Sequence, residues 1–108
     1  MVEPGGLQDI IFVKFAVLYT ASLWGKPIPY RDLTEVLLQD GLVDFFDLSI
    51  ALDELLQTSH LLLSEQGQKR SYQITPDGET AISLFQNQIP FSVREKITKA
   101  AKFFHKHG

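Results

Sequence analysis

The chain contains no cysteine, which excludes disulfides, thiolate metal centres and cysteine nucleophiles and fits a reducing cytoplasm. Long uncharged apolar runs are missing too. The most apolar stretch, residues 10–24, carries Lys14 and lacks a basic start, so it reads as a buried helix rather than a signal peptide or a membrane span. No Gly-rich phosphate loop, nucleophile elbow or zinc-binding helix motif occurs. The histidines are His60, His105 and His107, two of them in a terminal tail, and they offer no convergent ligand set. Neither an enzyme nor a resident metal or cofactor is expected.

What is present suits one small soluble domain. The 108 residues support a single core, and an apolar fraction of 44% with 21% charged residues is ordinary for a globular protein. The net charge of −3 argues mildly against nucleic acid, whose partners are mostly basic. Distribution is more telling than the sum. Residues 32–68 hold Asp32, Glu35, Asp40, Asp44, Asp47, Asp53, Glu54 and Glu65 with no Lys or Arg, whereas residues 92–108 hold Arg94, Lys96, Lys99, Lys102 and Lys106 against Glu95 alone.

Along the chain, Pro4, Gly5 and Gly6 mark residues 1–6 as a flexible start. A first helix is expected over residues 7–23, apolar on nearly every side, and such a helix needs cover all round. Either the rest of the domain supplies that cover or a second copy does. Pro27 and Pro29 break the helix. A second helix follows over 30–39, ended near Gly41. A third starts after Asp44 or Asp47 and runs to about residue 59, with Leu48, Leu52, Leu55 and Leu56 as its core face. Phe45 and Phe46 read as packing residues, with an exposed protein-contact patch as the alternative.

Residues 61–78 then read as a hairpin feeding a capped helix. Leu61, Leu62 and Leu63 form an apolar run, Gly67 sits in a polar turn, and Tyr72 and Ile74 alternate with Ser71, Gln73 and Thr75. Thr75 is placed to cap a fourth helix, with Pro76 at its first position. That helix reaches about residue 87 and buries Ala81, Ile82, Leu84 and Phe85 in part. Ser92 and Glu95 match a capping box that opens a last, amphipathic helix, with Val93, Ile97, Ala100, Ala101 and Phe104 on its apolar face and the lysines on the other. The fold class is mainly α with a small β-hairpin: a winged helix-turn-helix core over 7–91 and an additional C-terminal basic helix over 92–108, in one domain spanning 1–108.

The order of elements and the run Tyr72-x-Ile74-Thr75-x-x-Gly78 resemble MarR- and PadR-type bacterial winged-helix regulators. The continuation Leu84-Phe85, then Ile89-Pro90-x-Ser92-x-Arg94-Glu95-x-Ile97, together with Phe46, Ala51-Leu52 and Glu54-Leu55, resembles the uncharacterised family called domain of unknown function 4364. The resemblance implies a homodimer, a third helix that reads DNA and a wing beside the phosphates.

The residues themselves divide between two functions. In a DNA-binding transcriptional regulator, Lys69 and Arg70 of the wing would contact phosphates and the basic helix with Arg94, Lys96, Lys99, Lys102 and Lys106 would add charge. Asp47, Ser49, Ile50, Asp53 and Gln57 would then face the bases. Aspartate is a poor reader, accepting only from cytosine N4, and a carboxylate about 4 Å from a phosphate costs about 4 kcal/mol at an effective dielectric near 20. The alternative is a winged-helix module that does not bind DNA and contacts a basic protein partner through its acidic middle. A ligand pocket between the first and last helices is a third reading, and no membrane partner is expected.

Overall fold

The computed structural model describes residues 9–107, and side chains as far as residue 105. The expected flexible start at 1–6, helical positions 7 and 8, and the side chains of Lys106 and His107 lie outside the described residues.

Helix α1 is Ile10–Trp24, three residues later than the expected start, because the Asp9 carboxylate accepts from the Ile11 amide at 3.0 Å and caps it there. Gly25, at φ 74, ends it. Strand β1, Ile28–Pro29, leads directly into α2, Tyr30–Leu37. That helix stops short of residue 39: the chain tightens into a 3-10 turn at Gln39–Gly41, with Asp40 at φ 50 and Gly41 at φ 68. Helix α3, Phe45–Gln57, begins on Asp44 rather than Asp47, since the Asp44 carboxylate accepts from the amides of Phe46 and Asp47.

Strands β2, Leu61–Gln66, and β3, Lys69–Ile74, form the expected hairpin around Gly67 at φ 64. The sheet nevertheless has three antiparallel strands, in the order β1-β3-β2, because Ile28 and Pro29 pair with Tyr72 and Ser71. Proline has no amide to give, so Pro29 fits an edge strand. Helix α4, Pro76–Phe85, is capped by Thr75, whose hydroxyl oxygen accepts from the Gly78 amide at 3.1 Å. It ends before residue 87 in a second 3-10 turn, Gln86–Gln88. Helix α5, Phe91–His107, starts one residue before Ser92: the Pro90 carbonyl accepts from Val93 and Arg94, so Ser92 already lies inside the helix and does not take the expected capping place.

The apolar helix α1 is covered mainly by its own chain. Val13, Ala16, Val17, Leu18, Ala21 and Trp24 are buried against α2, α3, α4, α5 and β3. The buried Thr20 hydroxyl donates to the Ala16 carbonyl at 2.8 Å, which satisfies it. Helix α5 is part of the same core through Val93, Ile97 and Ala101, as its periodicity predicts. Leu84 is a correction: it is 70% exposed, not partly buried, because the face of α4 that meets the core carries Gly78 and Ile82. Two helices joined by a short turn, a wing and a further helix packed on α1 and α2 make this a winged helix-turn-helix with an added C-terminal helix.

Candidate interaction groove between helix α3 and the wing

Helix α3 turns Leu48, Ala51, Leu52 and Leu55 inward onto α1 and the start of the hairpin. Leu56 is only half-buried. The helix is also tied to α1 by a close ion pair between Lys14 and Glu54. Its opposite side carries the residues predicted from sequence: Ser49, Ile50, Asp53 and Gln57 are exposed and Asp47 is half-buried. Phe45 and Phe46 join them. They are 49% and 71% exposed and meet each other edge to face, ring centres 5.6 Å apart, so the packing role read for them from sequence is wrong and they belong to the surface. Their position explains it: they occupy the first turn, beyond the reach of the core stripe that begins at Leu48.

Between α3 and the wing runs an open groove of about 760 Å3. One wall is α3, with Phe45, Ile50 and Asp53; the other is the hairpin, with Leu63, Arg70 and Tyr72. In the ladder Leu63 pairs with Tyr72 and Glu65 with Arg70, and alternate residues of a strand share a face. Arg70 therefore lies on the groove side with Tyr72, while Lys69, its neighbour, points to the other side of the hairpin. The two wing cations do not converge. The Arg70 guanidinium is further engaged over the Tyr30 ring, 4.1 Å from its centre.

Tyr72 is buried in the groove floor, 3% exposed. Burial pushes its phenol above the ordinary 10.0, with the nearby charges of Glu65 and Asp53 and the Tyr30 phenol acting in the same direction and Arg70 opposing them. A phenol harder to ionise in the folded than in the unfolded chain holds its stabilisation below pH 10.0 and loses it as pH rises through the folded value. Denaturation midpoints measured across the alkaline range are expected to fall above pH 10, and Tyr72→Phe to remove part of that fall; an unchanged alkaline slope in the variant would contradict the assignment.

The basic residues of α5 are elsewhere. Lys96, Lys99 and Lys102 are exposed on a helix whose main contacts are with α1 and α2, whereas those of α3 are with α1 and β2. Arg94 is half-buried, its Nε donating to the Ile89 carbonyl at 3.2 Å with the guanidinium 5.6 Å from the Phe91 ring centre. A smaller cavity of about 470 Å3 lies beside the α1–α5 contact, lined by Leu23, Thr98, Ala101, Lys102 and His105. His105 sits edge-on to Trp24 at 5.0 Å. Among the described residues no group of three or more His, Asp or Glu is arranged to hold a metal ion, and no helix is long and apolar enough to cross a membrane.

Sequence reading missed the wall opposite α3. Tyr30 and Leu63 reach the groove only through tertiary pairing, β1 with β3 and β2 with β3, and the one local hint was the alternation that set Tyr72 inward.

Neither the curated proteins nor the solved structures include a match to this chain. The sequence profile described as Domain of unknown function (DUF4364) matches residues 13–107, from within α1 to the end of α5, and the protein belongs to that family.

Proposed function

We propose that the protein is a winged-helix docking module whose groove between α3 and the wing receives a basic, apolar-bearing segment of a partner protein. The outward face of α3 carries this reading. Phe45, Phe46 and Ile50 stand in solvent beside Ser49, Asp53 and Gln57, and the helix has no Lys or Arg. A DNA duplex would meet carboxylates and hydrocarbon there, where its phosphates call for cations. A protein segment with one basic and one apolar side answers both features, since interface cores favour aromatic anchors and complementary charge steers the approach. The cysteine-free composition supports a cytoplasmic setting for that encounter.

A DNA-binding transcriptional regulator is the second reading. It is favoured by the exposed Lys69 on the solvent side of the wing and by Lys96, Lys99 and Lys102 on α5.

Fluorescence anisotropy at low salt separates the two. The probes are a labelled amphipathic peptide of about 16 residues with leucine on one face and lysine on the other, and a labelled random-sequence duplex. The docking reading expects the peptide to bind, Asp53→Lys and Ile50→Lys each to weaken it about tenfold, and Glu35→Lys on α2 to leave it unchanged. Salt-sensitive duplex binding that Lys69→Glu abolishes, with peptide binding indifferent to the α3 variants, would overturn it in favour of the regulator.

A further inference from the structure

The groove between α3 and the wing already holds one guanidinium. Arg70 lies 4.1 Å over the centre of the Tyr30 ring, and that ring stands 6.3 Å from the Tyr72 ring, tilted by 48°, in the same cavity lining. Arg70 is exposed and pairs with Glu65 in the ladder, yet it forms no ion pair among the described residues, whose one salt bridge joins Lys14 to Glu54. The Tyr30 ring, not a carboxylate, is what holds it. A cation over an aromatic face at an exposed site is a weak contact and readily exchanged. Asp53 lines the opposite wall, near enough for its charge to act on the Tyr72 phenol, and it too is without an ion pair among the described residues.

We infer that the Tyr30 ring is the arginine position of the groove: the docking segment presents an arginine there, and Arg70 covers the ring until that arginine displaces it. The inference rests on the docking role proposed above and specifies the basic side of the segment. The present occupant shows what the position accepts. A guanidinium is planar and weakly hydrated, so it can stack on a ring while its edge donates to a carboxylate, whereas an ammonium is a compact, strongly hydrated charge that suits neither so well. Arg70 comes from the wing and has only the ring. An arginine entering between the walls has the Asp53 carboxylate on the facing wall as well, and the displaced Arg70, already exposed, moves into water without disturbing the core. Arg70 therefore weakens docking in proportion to the time it covers the ring. Its removal should tighten binding, the reverse of what a phosphate-contacting wing residue would show.

Fluorescence anisotropy with the lysine peptide, and with the same peptide carrying arginine in place of lysine, tests the inference in about 0.15 M salt, where distant charges are screened. The native chain is expected to bind the arginine peptide about threefold more tightly. Arg70→Gln should tighten that peptide by about a further threefold, as for the release of one exposed cation–π contact. Lys69→Gln removes the same charge from the other side of the hairpin and should not. Tyr30→Phe keeps a ring face and with it the preference for arginine, while Tyr30→Leu removes both. Should Tyr30→Leu unfold, Arg70→Gln decides alone, since that side chain is exposed. The Arg70 side-chain NMR signals, shifted by the Tyr30 ring current in the free chain, should return towards those of a solvated arginine as the arginine peptide is added. Equal binding of the two peptides, weaker binding by Arg70→Gln, or equal tightening by Arg70→Gln and Lys69→Gln would overturn the inference and leave the docking groove standing. Binding of neither peptide would overturn both.

Discussion

Gly78→Ala is expected to destabilise the fold by about 3 kcal/mol, lowering the thermal midpoint by on the order of 15 °C. A Cβ at this position would press inside van der Waals distance of the His60 carbonyl oxygen and reach within 2.7 Å of Ile74 Cγ1. The first of those atoms is backbone and cannot swing aside. It is also already committed, because the His60 carbonyl accepts from the Thr75 amide at 3.1 Å, while the Thr75 hydroxyl donates to the Ser59 carbonyl at 2.7 Å. The first turn of α4 is thereby clamped against the link from α3 to β2, and Gly78 is the gap that lets it close. Relieving the clash means lifting α4 away and giving up those bonds together. Gly67→Ala is the comparison: that glycine has open space around it but a φ of 64, so backbone strain alone should cost about 1 kcal/mol. Urea denaturation of both variants decides the matter; equal losses at the two positions would mean that the contact with His60 is not what demands glycine.

Ile97→Ala is expected to cost about 2–5 kcal/mol, the range for removing a buried branched side chain without full collapse of the site. Ile97 is fully buried, with Val93, Ala101 and Ile89 beside it in the same core. The loss would show that α5 is a wall of the domain rather than an attached tail, even though it bears half of the Lys and Arg residues. Lys99→Ala, on the exposed side of the same helix, should stay within about 0.5 kcal/mol of the native chain. If Ile97→Ala matched Lys99→Ala, α5 would have to be regarded as loosely docked.

Much of this architecture was legible in the chain. Asp44 and Thr75 are capping residues with free amides just ahead of them, a local chemistry that needs no tertiary context; Thr75 caps α4 as expected, and of the two candidates Asp44 and Asp47 it is Asp44 that caps α3. Helical spacing likewise picked out Leu48, Leu52 and Leu55, and strand alternation set Tyr72 inward. The two-residue strand Ile28–Pro29 was not legible, since it spans a single period of alternation and exists only because β3 lies alongside. Leu84, Phe45 and Phe46 misled for another reason. Periodicity reports that a side chain is apolar, not whether the surface facing it belongs to the same chain, and at these residues about half or more of the surface is left uncovered. Of the α3 residues expected to face outward, Ser49, Ile50, Asp53 and Gln57 are exposed and Asp47 is half-buried, because the outward set is whatever the core stripe leaves over. Lys69 and Arg70 of the wing turn to opposite sides of the hairpin, because the pleat sends neighbours in a strand apart.

The central place of α1 has a consequence for how the molecule is made. A growing chain releases α1 before the helices and strand that cover it, α4 and α5 among them. Until residues as far as Ala101 have emerged, a helix apolar on nearly every side has no complete partner. Contacts between the two ends of a chain make folding slower than local ones do, and exposed apolar surface in the interval invites association with other chains. The domain should therefore acquire its native packing only once α5 has been made, and shortened chains lacking α5 should be prone to aggregate.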